Sequence, residues 1–297
     1  MPSLKDVKAK IGGVQKTRQI TKAMNMVAAS RLRGAQLKME AFRPYAKKFG
    51  EVLGSLAGRA GEDISPLLVS KKEIKNIHLV LCTSDRGLCG GFNANLISAA
   101  EKFIAARAGD EVTVSFTNFG KKGRDWARKN KLERISEHLG VIGGRFGFTV
   151  AAKCAQSLIH GFLSDRYDEV HVVFAEFVTM ARQKAVVQQI LPIPPLEADE
   201  AAGVIGEEGY LPEHICEPSA EALLSVLLTR NVSIQIYRAL LETSTSEQAA
   251  RMMAMDNATK ACNDMLDALT LSYNKARQGA ITKELMDIVG GAEALRG

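Results

Sequence analysis

A chain of 297 residues with 46% hydrophobic and 24% charged side chains has the composition of a folded globular protein, not of a disordered or fibrous one. It lacks an uninterrupted apolar run of the ~18 residues that a membrane-spanning helix needs. The net charge of +6 is unevenly placed: residues 1–50 carry twelve Lys and Arg against only Asp6 and Glu40. Such an arm is either a solvated helix face or the complement of an acidic partner, whether nucleic acid, membrane surface or protein.

The first segment, within 1–57, reads as an amphipathic helix. Leu4, Val7, Ile11 and Val14 step by three and four, as a coiled-coil seam does, and Ala28, Leu32, Ala35, Met39 and Phe42 resume the pattern. Between them the register lands on polar Arg18, Thr21 and Asn25, while the apolar residues shift to Ile20, Met24 and Val27. That shift predicts a local slip in the supercoil. Gly12, Gly13 and Gly34 weaken the helix in isolation, so packing must hold it. The start "MPSLKDVKAK" has neither the apolar core of a secretory signal nor the Ser content of a mitochondrial presequence.

The middle has a different texture. "IKNIHLVLC" (74–82), "EVTVSFTNF" (111–119) and "DEVHVVFAEF" (168–177) read as strands, and "AVVQQILPI" (185–193) as an edge strand stopped by Pro192. Helical patterns alternate with them over 92–107, 121–130 and 147–164. The alternation predicts an α/β domain over 74–195, its sheet mostly parallel and flanked by helices.

Within it, "CTSDRGLCGGFN" (82–93) stands between a strand and a helix, where many proteins hold a nucleotide phosphate. Its Gly87, Gly90 and Gly91 give G-x-x-G-G, which is neither the dinucleotide fingerprint nor a P-loop, and no Lys follows Gly91. No acidic side chain closes the second strand, where Asn118 stands nearest. "IGGRFGF" (142–148) is a second glycine-rich turn without a phosphate pattern. Asp165, Asp168 and Glu169 read as a solvated acidic turn. His78, His138, His160, His171 and His214 have no ligand spacing, and Cys82, Cys89, Cys154, Cys216 and Cys262 form no CxxC pair, so reduced thiols and no metal site are expected. The residues assemble no catalytic set.

A loop-rich return over 192–218 leads to the last segment. No Pro or Gly occurs from 219 to 278, so with Ser219 as candidate N-cap this reads as a single helix of roughly 115 Å over 219–295. Its apolar stripe is Leu223, Leu227, Ile234, Tyr237, Leu241, Met252, Met255, Cys262, Met265, Leu269 and Tyr273. The simplest arrangement pairs a coiled-coil helix over 1–57 with another over 211–297, antiparallel.

"TRQITKAMNMVAASRLRGAQ" (17–36), "SDRGLCGGFNANL" (84–96), "SEQAARMMAMDNATKAC" (246–262) and "YNKARQGAITKELMDIVGGAEAL" (273–295) resemble the gamma subunits of rotary (F-type) ATP synthases, of the bacterial type, from end to end and in the same order. The resemblance implies a non-catalytic central-stalk rotor subunit that passes rotation between a membrane c-ring and three catalytic sites. Its implied partners are three alpha and three beta subunits, an epsilon subunit and the c-ring, with no cofactor and no nucleic acid. It implies a peripheral position on the cytoplasmic face of the bacterial inner membrane. Rotor–stator contacts carried over from the family are Met24, Arg277, Gln278 and Thr282, with Arg251 tied functionally to Met24. An apolar tip of Ile281, Leu285, Ile288, Val289 and Leu295 is expected in a hydrophobic sleeve. Gly12–Gly13, Asn25 and the "LRG" tail depart from common members, and the inserted cysteine pair of light-regulated plant versions is absent. Two other readings stay open from the residues alone: an α/β nucleotide-binding enzyme with helical arms, resting on the glycine turn, and a nucleic-acid-binding coiled coil, resting on the basic arm.

Overall fold

Two helices of unequal length frame the sequence in the computed structural model, which describes residues 4–57, 65–71, 73–107, 112–194 and 220–294. Helix α1 is Leu4–Ala57 and helix α5 is Ala220–Ala294. The candidate N-cap Ser219, the rest of the return loop from 195 on, His214, Cys216 and Leu295 lie outside the described residues. The chain divides into two compact units, Met1–Ala28 with Met252–Gly297, and Ala29–Arg251; α1 and α5 each contribute to both.

In the first unit α1 and α5 form an antiparallel pair. Arg18 meets Asn263, Thr21 meets Thr259 and Asn25 meets Met252, numbers rising on one helix as they fall on the other. Leu4, Val7, Ile11, Val14, Arg18, Thr21, Asn25 and Ala28 keep one unbroken three-four spacing, all buried or half-buried. The expected slip does not occur. Ile20 and Val27 point to solvent, 60% and 54% exposed, because the polar seam residues find partners on α5 and need not leave. On α5 the seam is Met252, Met255, Thr259, Cys262, Leu266, Leu269 and Tyr273. Leu266, four residues after Cys262, takes the place expected of Met265, which is exposed.

The second unit holds a five-stranded sheet. Strands β1 (Asn76–Cys82), β2 (Thr113–Phe119), β3 (Glu133–His138), β4 (Glu169–Phe177) and β5 (Gln183–Leu191) lie in the order β3-β2-β1-β4-β5. All pairings are parallel except β4 with β5, which are antiparallel. β3, "ERISEH", has no place among the expected strands: four of its six residues are charged or His, and backbone pairing with β2 carries it at the sheet edge, where charge is common. Helices α2 (Phe92–Arg107), α3 (Lys121–Lys129) and α4 (Phe148–Leu163) are the crossovers.

Each sheet face has its own core. On one, Phe92, Leu96 and Ala100 of α2 pack with Leu79, Leu81 and Phe116. On the other, Ala151, Ala155 and Leu158 of α4 join Val80, Phe119, Val172 and Phe174, together with Leu53 and Leu56 of α1 and Leu224, Leu228, Val232 and Ile236 of α5. A buried Leu or Ile contributes about 2 kcal/mol, so those six long-helix side chains fasten both helices to the sheet strongly.

Candidate functional site

The glycine-rich turn after β1 is closed upon itself. The Ser84 N–H donates to Asn93 Oδ1 at 3.0 Å, the Asn93 amide donates to Ser84 Oγ at 2.8 Å, and the Asn95 N–H at the start of α2 reaches Gly91 O at 2.9 Å. The neighbouring N-terminus of α3 is equally satisfied. Lys121 N–H donates to Asp85 Oδ1, Lys122 N–H to the Ser84 carbonyl and Gly123 N–H to Thr83 Oγ1, at 3.0, 3.1 and 2.8 Å. The other Asp85 oxygen accepts the Gly140 N–H at 2.9 Å. The first backbone donors of α3, which could face a phosphate, are engaged by the chain itself.

In an open α/β sheet the ligand crevice lies outside the carboxyl ends of the strands where the strand order reverses, here between β1 and β4. Helix α5 occupies that place. Beyond its pairing with β1, β4 gives both backbone groups of Ala175 to α5: its N–H to Thr243 Oγ1 at 3.3 Å, its carbonyl to the Ser246 hydroxyl at 3.1 Å. The Phe177 N–H reaches Glu242 at 3.4 Å. From the β1 side, the Gly87 carbonyl accepts from Arg251 Nη2 at 3.4 Å. The second glycine-rich turn arrives as well, since a Cβ on Gly143 would collide with the Glu247 carboxylate. Residues Ala239 to Ala249 of α5 are therefore buried on all sides, including Glu242, Thr243, Ser244, Thr245, Ser246, Glu247 and Gln248.

The buried charges there are matched within the helix. Arg251 pairs with Glu247 at 2.7 Å and donates to Gln248 Oε1 at 3.1 Å, while the Gln248 amide donates to Glu247 at 2.9 Å. Elsewhere His78 is fully buried between Ser115 Oγ (2.7 Å) and Thr117 Oγ1 (2.9 Å), and burial, assisted by the Arg166 charge, pulls its pKa down to about 3. His171 bonds Glu169, which also holds Arg107. His138 stacks on Phe119. These histidines are packed or tied to the sheet.

The acidic turn is only in part the solvated loop expected: Asp165 is exposed, but Asp168 and Glu169 are not. Asp168 accepts the N–H groups of Lys75 and Asn76 at 2.9 and 2.7 Å and pairs with Lys71 at 3.0 Å, and Glu169 is buried. Both carboxylates stay inside because each has partners to replace water.

Of the five residues expected to bear on rotor–stator contact, Met24, Arg277, Gln278 and Thr282 lie in the first unit. Met24 is half-buried; the other three are exposed, with the Thr282 hydroxyl turned back to the Gln278 carbonyl at 3.0 Å. Ile281, Leu285, Ile288 and Val289 are all at least half exposed. Arg251 lies in the second unit and is 7% exposed. There too, a groove of about 490 Å³ is lined by Arg31, Lys38 and Arg145 with no carboxylate among its walls.

A sequence profile described as ATP synthase matches residues 3–295. The chain is similar to the ATP synthase gamma chain of Desulfosudis oleivorans, 64% identical with both chains covered in full. The chain belongs to the ATP synthase gamma chain family. Among solved structures it is similar to a chain of the Tetrahymena thermophila mitochondrial ATP synthase central stalk and c-ring, with 25% identity, TM-score 0.58, and 80% of this chain and 99% of that one covered. A chain of the Euglena gracilis mitochondrial ATP synthase, at 19% identity and TM-score 0.68, covering 98% and 94%, shares the fold. Within this gamma-chain framework, Glu247, Gln248 and Gly143 are structural partners that sequence reasoning did not find. The glycines of "IGGRFGF" were the available signal, since a glycine-rich turn marks a close approach of backbone as readily as a ligand.

Proposed function

We propose that this chain is the central-stalk rotor subunit of a proton-translocating ATP synthase, passing rotation between a membrane c-ring and the catalytic sites of a hexamer of three alpha and three beta subunits, with an epsilon subunit beside it. Whole-length kinship to gamma chains carries this reading. The seating of α5 in the sheet's ligand crevice supports it over a nucleotide-binding enzyme.

The physical work is differential contact. Two unlike helices side by side present a different face in each direction, so each angle of the pair favours a different conformation in each of three otherwise identical neighbours; a partner shifts an equilibrium only by such differences. The proposed division of labour is a shaft from 1–57 and 211–297 and a torque-receiving domain from 74–195. Exposed Lys and Arg of α1 suit acidic elements of beta subunits. Met24, Arg277, Gln278 and Thr282 are the proposed stator contacts, and Arg251 is coupled to them in function. Attachment to the membrane is peripheral, through the complex, on the cytoplasmic face of the bacterial inner membrane.

The purified chain mixed with alpha and beta subunits should yield ATPase activity and co-purify in single copy with three of each, and the chain alone should hydrolyse no ATP. An inactive mixture of folded subunits overturns the reading.

A further inference from the structure

We propose that Glu247, Gln248 and Arg251 form, with the two glycine-rich turns, the joint through which torque passes between the sheet and α5, and that Arg251 is a positioning residue of this joint, not a stator contact. The proposal rests on the rotor reading and adds where inside the subunit the load is carried.

Three strand ends converge on one stretch of helix. The turn after β1 offers the Gly87 carbonyl to Arg251, the loop after β3 presses Gly143 against Glu247, and the end of β4 gives Ala175 to Thr243 and Ser246. Apolar contact along α5 resists separation, and its interlocked side chains oppose sliding, although the attraction itself is non-directional. Directional bonds resist both. Arg251 is the one side chain on this stretch seen to bond both its own helix and the β1 turn. Its planar fork spans Glu247, Gln248 and Gly87 at once, which the single ammonium of a lysine does not reproduce. At 7% exposure it has little surface to offer a partner. Next to Gly87 in the same turn, Leu88 holds φ at +64° and is 62% exposed.

Two measurements test this. In hydrogen exchange on the purified full chain, Arg251→Gln should speed exchange at amides 85–93 and 142–147 by about tenfold relative to the strands, with Arg251→Lys intermediate. Unchanged exchange at both turns overturns the joint, whatever the chain's role. In the assembled complex, Arg251→Gln should lower protons pumped per ATP hydrolysed. Loosened turns with an unaltered pumping ratio overturn the claim that torque passes here. Should Arg251→Gln fold poorly, Glu247→Gln, which keeps the side chain's shape and removes the ion pair, is read by the same two measurements. Failure of the wild-type chain to assemble with alpha and beta subunits counts against the rotor reading alone, since the exchange measurement needs no partner.

Discussion

The side-chain oxygens of Thr21 and Thr259 meet at 2.8 Å inside the helix pair, at a position where two-stranded coiled coils ordinarily place Leu, Ile or Val. Asn25 extends the polar layer by donating to the Met252 carbonyl at 2.9 Å, and Arg18 by donating to Asn263 at 3.3 Å. Such layers fix register at a cost in stability. The double substitution Thr21→Val with Thr259→Val should therefore stabilise this part of the pair by about 1 kcal/mol, slowing hydrogen exchange of amides 255–263 about fivefold. Faster exchange at these amides contradicts the account.

A second expectation concerns acid. His78 has a folded pKa near 3 against an ordinary 6.5, from burial first and Arg166 second. Well above pH 6.5 it is neutral folded or unfolded and contributes nothing to pH dependence. As pH falls below 6.5 the unfolded chain binds a proton that the folded one refuses, so stability drops by up to about 1.4 kcal/mol per pH unit toward pH 3. His171, lowered chiefly by burial although Glu169 opposes it, acts in the same direction. The urea midpoint should fall between pH 7 and pH 5, and His78→Gln should flatten that slope by about one proton. An identical slope in the variant refutes the assignment.

How far these features could be read beforehand depended on the range of the interactions behind them. Most of α5 was legible because Pro and Gly are absent from 219 to 278, a local property. β1, β2, β4 and the antiparallel edge strand β5 were legible from β-branched, apolar runs. β3 was not, since "ERISEH" carries neither alternation nor bulk and owes its state to β2. The polar seam was misread as a slip because Thr21 and Asn25 look solvent-seeking until their partners, more than two hundred residues away, are known. The docking of α5 was invisible for the same reason: Arg251 and Gly87 are 164 residues apart. Both glycine turns were conspicuous in the sequence, but nothing in it said that they face a helix.

Thiol reactivity offers an independent check on the packing. Burial pushes the Cys82 thiol far above its usual range and Cys154 up to about 12; Cys89 is raised too, with the Ser84 hydrogen bond and the Arg251 charge working against burial. Thiolate is the reactive form. In a Cys216→Ser background, half-buried Cys262 should be the one site labelled rapidly by a maleimide in the native chain, with the other three reacting only in denaturant. Rapid labelling of Cys82 in the native chain, located by peptide mass, contradicts the fold.

Gly140 and Gly143 supply a matched pair for the contact between the second turn and α5. Both hold φ at +75°, so an alanine at either site carries the same left-handed strain, about 1 kcal/mol or slightly more. They differ in what a new methyl group meets. At Gly140 nothing lies within 4 Å, whereas at Gly143 the methyl group runs into the Glu247 carboxylate, which is already committed to Arg251 and Gln248 and cannot retreat without breaking those bonds. Gly143→Ala should therefore cost about 1–3 kcal/mol more than Gly140→Ala, read as the difference in urea midpoints at equal slope. In a Glu247→Ala background, itself destabilised by the unpaired Arg251, the extra cost of Gly143→Ala over Gly140→Ala should shrink, because the clash is gone. Equal losses for the two alanines would mean that the turn does not bear on the helix.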